Sequence, residues 1–200
     1  MVRRVAVAVL APPAWAPPEV DPTAWRLALA EDLLDVFAMM TEVEAAVAVP
    51  EEDAYLAASV GWPGLRSYAV PSLDVPTLFR AAAADFDQAA LVAADAPDLP
   101  GMIIAKLLRP LTTRPLAAAS ATAGPGLLGL AAALPAPDWL PVATLDELTP
   151  QGLRRLAPSP TDVAPATSWH RLRGPDDLSR LDPRLEGWEA TRALLPQRSG

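Results

Sequence analysis

Two carboxylates near the middle of the chain, Asp95 and Asp98, are the residues best placed to do chemistry. They follow the apolar run at 89–94 in AALVAADAPDLP, and Pro97 and Pro100 break the backbone around them. A continuous apolar run of this length, closed by turn residues, reads as a strand buried on both faces. Asp95 then stands where that strand leaves the sheet. Open α/β sheets bind ligands just outside the carboxyl ends of their strands. A carboxylate there can hold a hard cation such as Mg²⁺, which in turn holds phosphate oxygens. The same spacing also suits a plainer role, in which both acids cap a helix beginning near Gly101.

The rest of the chemical inventory is thin. There is no cysteine, which excludes disulfides, a thiol nucleophile and any zinc site built on thiolates. His170 is the single histidine, so a multi-histidine metal site is excluded as well. A base role for His170 competes with a structural one, and no G-x-S-x-G elbow supports a serine nucleophile. Arg171 and Arg173 could meet phosphate, or could simply be solvated near a helix start. The net charge of −8 argues against non-specific nucleic-acid binding. Six tryptophans are scattered, as core or interface residues usually are. Trp15 is the exception. Its proline-rich loop could lay it over the strand ends, to stack on a base or seal a cleft.

These residues must be positioned by elements that the pattern outlines. Residues 4–10 read as a first buried strand. The arginines before it give a signal-peptide-like start, but the α/β patterning favours the strand. Residues 11–21, APPAWAPPEVD, form a proline-rich loop. Asp21 then Pro22 predicts a helix to about Met40, with an apolar stripe of Leu27, Leu29, Leu33, Leu34, Phe37 and Met40. Strands are expected at 45–49, 67–70, 88–94, 116–121, 127–134 and 167–172. Helices are expected at 51–60, 75–85, 101–111, 144–156, 175–181 and 184–195. Thr144 and Glu147 suggest a capping box for the helix at 144–156, and 161–165 reads as linker. Strands alternating with helices imply one α/β domain over 1–195, with a mostly parallel sheet covered on both faces and a flexible tail at 196–200. No apolar run reaches membrane-spanning length. No P-loop is present, and Gly124 with Gly126 is not a dinucleotide fingerprint.

Several stretches carry a family resemblance. VAADAPDLP (92–100) resembles the strand-end signature of the GT-A-like nucleotide-diphospho-sugar transferase superfamily. It is most similar to a bacterial group of glycosyltransferase-A-like proteins related to molybdenum-cofactor guanylyltransferase and phospholactate guanylyltransferase. GPGLLGLAA (124–132) is similar to that group's glycine loop and following strand. AEDLLDVF (30–37) resembles its first helix, and GPDDLSRL (174–181) its C-terminal segment. The ordered set spans most of the chain. It implies a Rossmann-like GT-A fold, a nucleotide or nucleotide-diphospho-sugar as ligand, and Mg²⁺ or Mn²⁺ held at Asp95. Arg26, Asp98, Arg171 and Arg173 become the nucleotide-binding candidates.

The departures from the family pattern are equally specific. The family's first loop contains lysine and glycine and is followed by K-T-R-L. Here it is APPAWAPPEVDPTAW, with no lysine, glycine or arginine before Arg26. Pro12, Pro13, Pro17 and Pro18 also remove backbone N–H donors that could cradle a phosphate. TAGPG (122–126) and SWHRLRG (168–174) replace two acidic family motifs without supplying a carboxylate. The expected protein is therefore a cytoplasmic pseudoenzyme that kept the transferase fold, serving as a binding or scaffolding subunit with a protein partner. The alternative is an active metal-dependent nucleotidyltransferase or glycosyltransferase.

Overall fold

Strict alternation decides how the first strand sits. In β1 (Arg4–Val9), Val5, Val7 and Val9 enter one apolar layer, while Ala6 and Ala8 enter the other. A computed structural model describes residues 2–182 and 184–195. The chain continues through α1 (Pro22–Ala38), β2 (Glu44–Pro50), α2 (Ala54–Val60), β3 (Arg66–Val70), α3 (Val75–Ala82) and β4 (Gln88–Ala93). Then follow α4 (Gly101–Leu108), β5 (Leu116–Ser120), β6 (Leu127–Ala133), α5 (Pro150–Leu156), β7 (Val163–Pro165) and α6 (Glu189–Leu194). The strands form one sheet in the order β3-β2-β1-β4-β6-β5-β7. Helices α1, α2 and α4 cover one face and α3 and α5 the other, so the sheet is buried on both sides.

β4 lies at the centre with every residue buried, as its unbroken apolar run predicts. One of its two neighbours departs from the parallel pairing expected of the sheet. β1 pairs with it in parallel, but β6 pairs with it antiparallel. The cause is local: β5 and β6 are joined by the short loop around Gly124–Pro125–Gly126, and so short a connection can only return the chain antiparallel. β6 then inserts between β5 and β4. Gly129 permits the close fit, since a Cβ there would lie 2.9 Å from the Leu91 carbonyl oxygen and from Leu107 Cδ2.

α1 begins as its sequence indicates. Asp21 accepts from the Ala24 N–H at 2.8 Å, and Pro22 occupies the first turn. Leu29, Leu33, Leu34 and Phe37 are buried, but so are Trp25, Ala28 and Asp32 on other faces. The reason is α6, which packs against α1. Asp32 accepts the Ala190 and Thr191 N–H groups at 2.9 and 2.8 Å, capping a helix 158 and 159 residues away. Burial pushes the Asp32 carboxyl above its ordinary pKa, against the lowering effect of those hydrogen bonds. Asp32→Ala should leave two N–H groups without their acceptor and cost about 1–2 kcal/mol in urea denaturation. An unchanged midpoint would count against this docking.

Five expectations for the second half are corrected. Only half of the Thr144–Glu147 box forms: the Thr144 N–H donates to Glu147 Oε2 at 2.7 Å, but the Thr144 hydroxyl donates to that same carboxylate and the Glu147 N–H goes to the Thr144 carbonyl, closing only a turn. Pro150 would sit inside a helix begun at Thr144, so α5 starts at Pro150 with Thr149 as its cap. Residues 163–165, expected as linker, form edge strand β7 against β5, where Pro165 is tolerated at the strand end. Residues 167–172 are extended but make only the Ala121–Trp169 bridge. Residues 175–180 form a 3₁₀ turn, and α6 is shorter than expected, beginning after Gly187 at φ +95°. The tail expected at 196–200 lies outside the described residues. No described helix is long and apolar enough to cross a membrane.

Candidate functional site

β4 delivers Asp95 to the carboxyl end of the sheet, and β1 delivers the proline-rich loop beside it. Leu10, Pro13, Arg26, Asp95, Asp146 and Arg171 surround a cavity of about 30 Å³ there, roomy enough for about one or two waters. The placement of Asp95 and of the first loop therefore follows the sequence. The environment of Asp95 does not, because its side chain is only 13% exposed and is held by arginine.

Arg171 reaches Asp95 across 76 residues of chain. Its Nε donates to Asp95 Oδ1 at 2.5 Å and its Nη2 to Oδ2 at 2.9 Å. Nη1 donates to the Leu127 carbonyl at 2.9 Å and to Asp146 Oδ1 at 2.6 Å. The forked geometry engages both carboxylate oxygens of Asp95 at once. Burial works against the Arg171 charge, but Asp95 and then Asp146 outweigh it and push the guanidinium above its ordinary pKa. The backbone is fixed on either side: the Leu172 N–H donates to the Asp95 carbonyl at 2.7 Å, and the Thr122 N–H to the Trp169 carbonyl at 3.0 Å.

The other candidates are also engaged within the chain. Arg173 donates to Asp146 and to the Pro125 carbonyl, the latter at 2.8 Å, and its Nε lies 3.6 Å from Asp95 Oδ2. Arg26 donates to Asp53 at 2.6 Å and to the Leu10 carbonyl. Asp98 lies apart from the cavity, buried against the Trp169 indole at 3.1 Å and His170 Nε2 at 3.0 Å. His170 stacks on Trp169 with ring centroids 5.1 Å apart. Trp15 packs edge-on against Trp25 at 6.0 Å, in an apolar cluster with Leu172 and Trp188.

Asp146 is the site residue that sequence reasoning missed. It follows Thr144 in what looks like a helix-capping turn, and no local signal links it to Asp95. Gly126, at φ +92°, brings it in: a Cβ there would lie 2.9 Å from Asp146 Cα. The larger groove of about 720 Å³ lies at the opposite end of the sheet, among Val36, Met39, Met40, Val43, Met102 and Leu108.

The arrangement does not fit a divalent cation beside Arg171. Mg²⁺ requires several oxygens at about 2.0–2.1 Å in near-octahedral geometry. Both Asp95 oxygens already face the guanidinium, and among the described residues no three His, Cys, Asp or Glu side chains converge on a metal position.

Comparison with known proteins shows the fold. No family model matches the sequence, and no curated protein matches it. Solved structures do. A candidate nucleotide-diphospho-sugar transferase from Desulfovibrio desulfuricans G20 superposes with TM-score 0.66 at 18% identity, covering 97% of each chain. The 4-diphosphocytidyl-2C-methyl-D-erythritol synthase of Anaerococcus prevotii DSM 20548 gives TM-score 0.57 at 10% identity, over 96% of this chain and 95% of that one. Glucosyl-3-phosphoglycerate synthase from Mycobacterium tuberculosis, in complex with Mn²⁺, UDP and phosphoglyceric acid, gives 0.53 at 16%, over 96% and 77%. The fold is that of the GT-A-like nucleotide-diphospho-sugar transferases and nucleotidyltransferases. In this chain the carboxyl end of the sheet is closed by an arginine–aspartate cluster.

Proposed function

We propose that this chain is a catalytically degenerate nucleotidyl- or glycosyltransferase-like protein, which keeps the fold as a binding or scaffolding subunit and has lost metal-dependent transfer. The observation that carries this is the fork from Arg171 to both oxygens of Asp95. Transferases of this kind need a carboxylate free to hold a cation, and a cation free to neutralise phosphate charge. Here Asp95 serves neither need. Arg171 and Arg173 face Asp95 and Asp146, and Arg26 faces Asp53, so the positive charge nearby is balanced within the chain. A nucleoside diphosphate would bring further negative charge to a protein already at −8. The first loop adds prolines where N–H donors would be needed.

Calorimetric titration with a panel of nucleoside-diphosphate sugars, with millimolar Mg²⁺ or Mn²⁺ present, tests this. No saturable binding in the micromolar range is expected. Micromolar binding that requires metal and is abolished by Asp95→Asn would establish the active transferase instead.

A further inference from the structure

We propose that the Arg171 guanidinium is the resident cation of this site, a tethered replacement for an exchangeable divalent metal ion; this rests on the reading above that metal-dependent transfer is lost. Four oxygens converge on that one group: Asp95 Oδ1 and Oδ2, Asp146 Oδ1 and the Leu127 carbonyl. Carboxylates with a backbone carbonyl are the donor set of a hard-cation site. Two carboxylates drawn to one point, Asp95 largely buried and Asp146 half exposed, also repel each other unless a positive charge stands between them. Arg171 supplies that charge, and its side chain is only 5% exposed.

A covalently attached cation behaves differently from a bound metal. It does not dissociate, it is indifferent to chelators, and it brings one positive charge instead of two. Its position is set by backbone hydrogen bonds on both sides, from Leu172 to Asp95 and from Thr122 to Trp169. Arg173 adds a second cation at Asp146, so two arginines balance two aspartates. Metal binding and Arg171 are then mutually exclusive: a divalent ion can enter only where the guanidinium has been removed.

The test exchanges one cation for the other. Mn²⁺ binding is read from the loss of the free-ion electron paramagnetic resonance signal, and stability from thermal denaturation with Mn²⁺ or EDTA. The full chain is compared with Arg171→Ala and with Arg171→Ala/Asp95→Asn. The unsubstituted protein should leave the Mn²⁺ signal unchanged, and neither additive should move its midpoint. Arg171→Ala should bind Mn²⁺ saturably and melt higher in its presence, and the double variant should lose both effects. If Arg171→Ala is unfolded without metal, Mn²⁺ should restore its circular dichroism. Three results overturn the proposal: Mn²⁺ bound by the unsubstituted protein through Asp95; Arg171→Ala, folded or not, on which Mn²⁺ has no effect; or binding retained in the double variant. No nucleotide enters this experiment, so its failure is separable from failure of the functional reading, which the sugar-nucleotide titration addresses alone.

Discussion

Arg171→Ala is expected to destabilise the fold by about 3–5 kcal/mol, the cost of leaving a buried ion pair without one partner. Asp95, only 13% exposed with Arg171 in place, would be left with neither oxygen paired to Arg171, and the Leu127 carbonyl would lose its Arg171 donor. Arg173 could not compensate, because its Nε is 3.6 Å from Asp95 and its Nη groups are engaged by Asp146 and Pro125. The loss comes from the stranded carboxylate more than from the missing attraction. An apolar pair, Arg171→Met with Asp95→Leu, should therefore recover most of the stability. Urea denaturation with an unchanged slope would read both variants as stability changes. A cost for Arg171→Ala below about 1 kcal/mol would place the pair with ordinary surface salt bridges and contradict its structural weight.

Trp25→Ala should cost a similar amount, about 3–5 kcal/mol, the range for truncating a large buried aromatic residue. Trp25 is fully buried on the outward side of α1, where Leu29, Leu172, Leu181 and Trp188 close around it and Trp15 meets it edge-on. The cluster joins the proline-rich loop, α1 and the C-terminal segment. The damage should therefore be uneven. Amide protection in residues 172–182 and 184–195 should fall further than in β4, because those residues dock through this cluster and through Asp32. Trp25→Phe should retain much of the stability. Hydrogen exchange showing equal loss across the sheet and the C-terminal segment would argue that the segment does not dock as a separate unit.

What the sequence determined by itself was what neighbouring residues decide. The Asp21–Pro22 helix start is a matter of one side-chain acceptor and one missing donor, and it stands as written. The apolar run ending in Asp95 needed only its own composition to become a buried central strand, and the alternation of strands and helices was enough to imply a mostly parallel α/β sheet; the transferase fold followed from the resemblance carried by 92–100 and its companion stretches. The prolines of the first loop lack backbone N–H donors by their covalent structure alone.

The tertiary structure decided what depends on distance between remote residues. Asp95 looked like a free carboxylate because nothing within its own stretch could pair with it, while its partner Arg171 lies 76 residues on. Asp146 lies between Thr144 and Glu147 with no pattern of its own, and Gly126 packing against its backbone brings it to the site. Asp32 carries no local signal of burial, and only the packing of α6 places two N–H groups on it. Likewise β6 read as one more strand, and only a short hairpin with β5 made it an antiparallel neighbour of β4. Periodicity and caps are encoded within a few residues, because backbone hydrogen bonds and side-chain spacing act there. The fate of a charge is set by which strand ends meet, and that meeting both assembled this site and closed it.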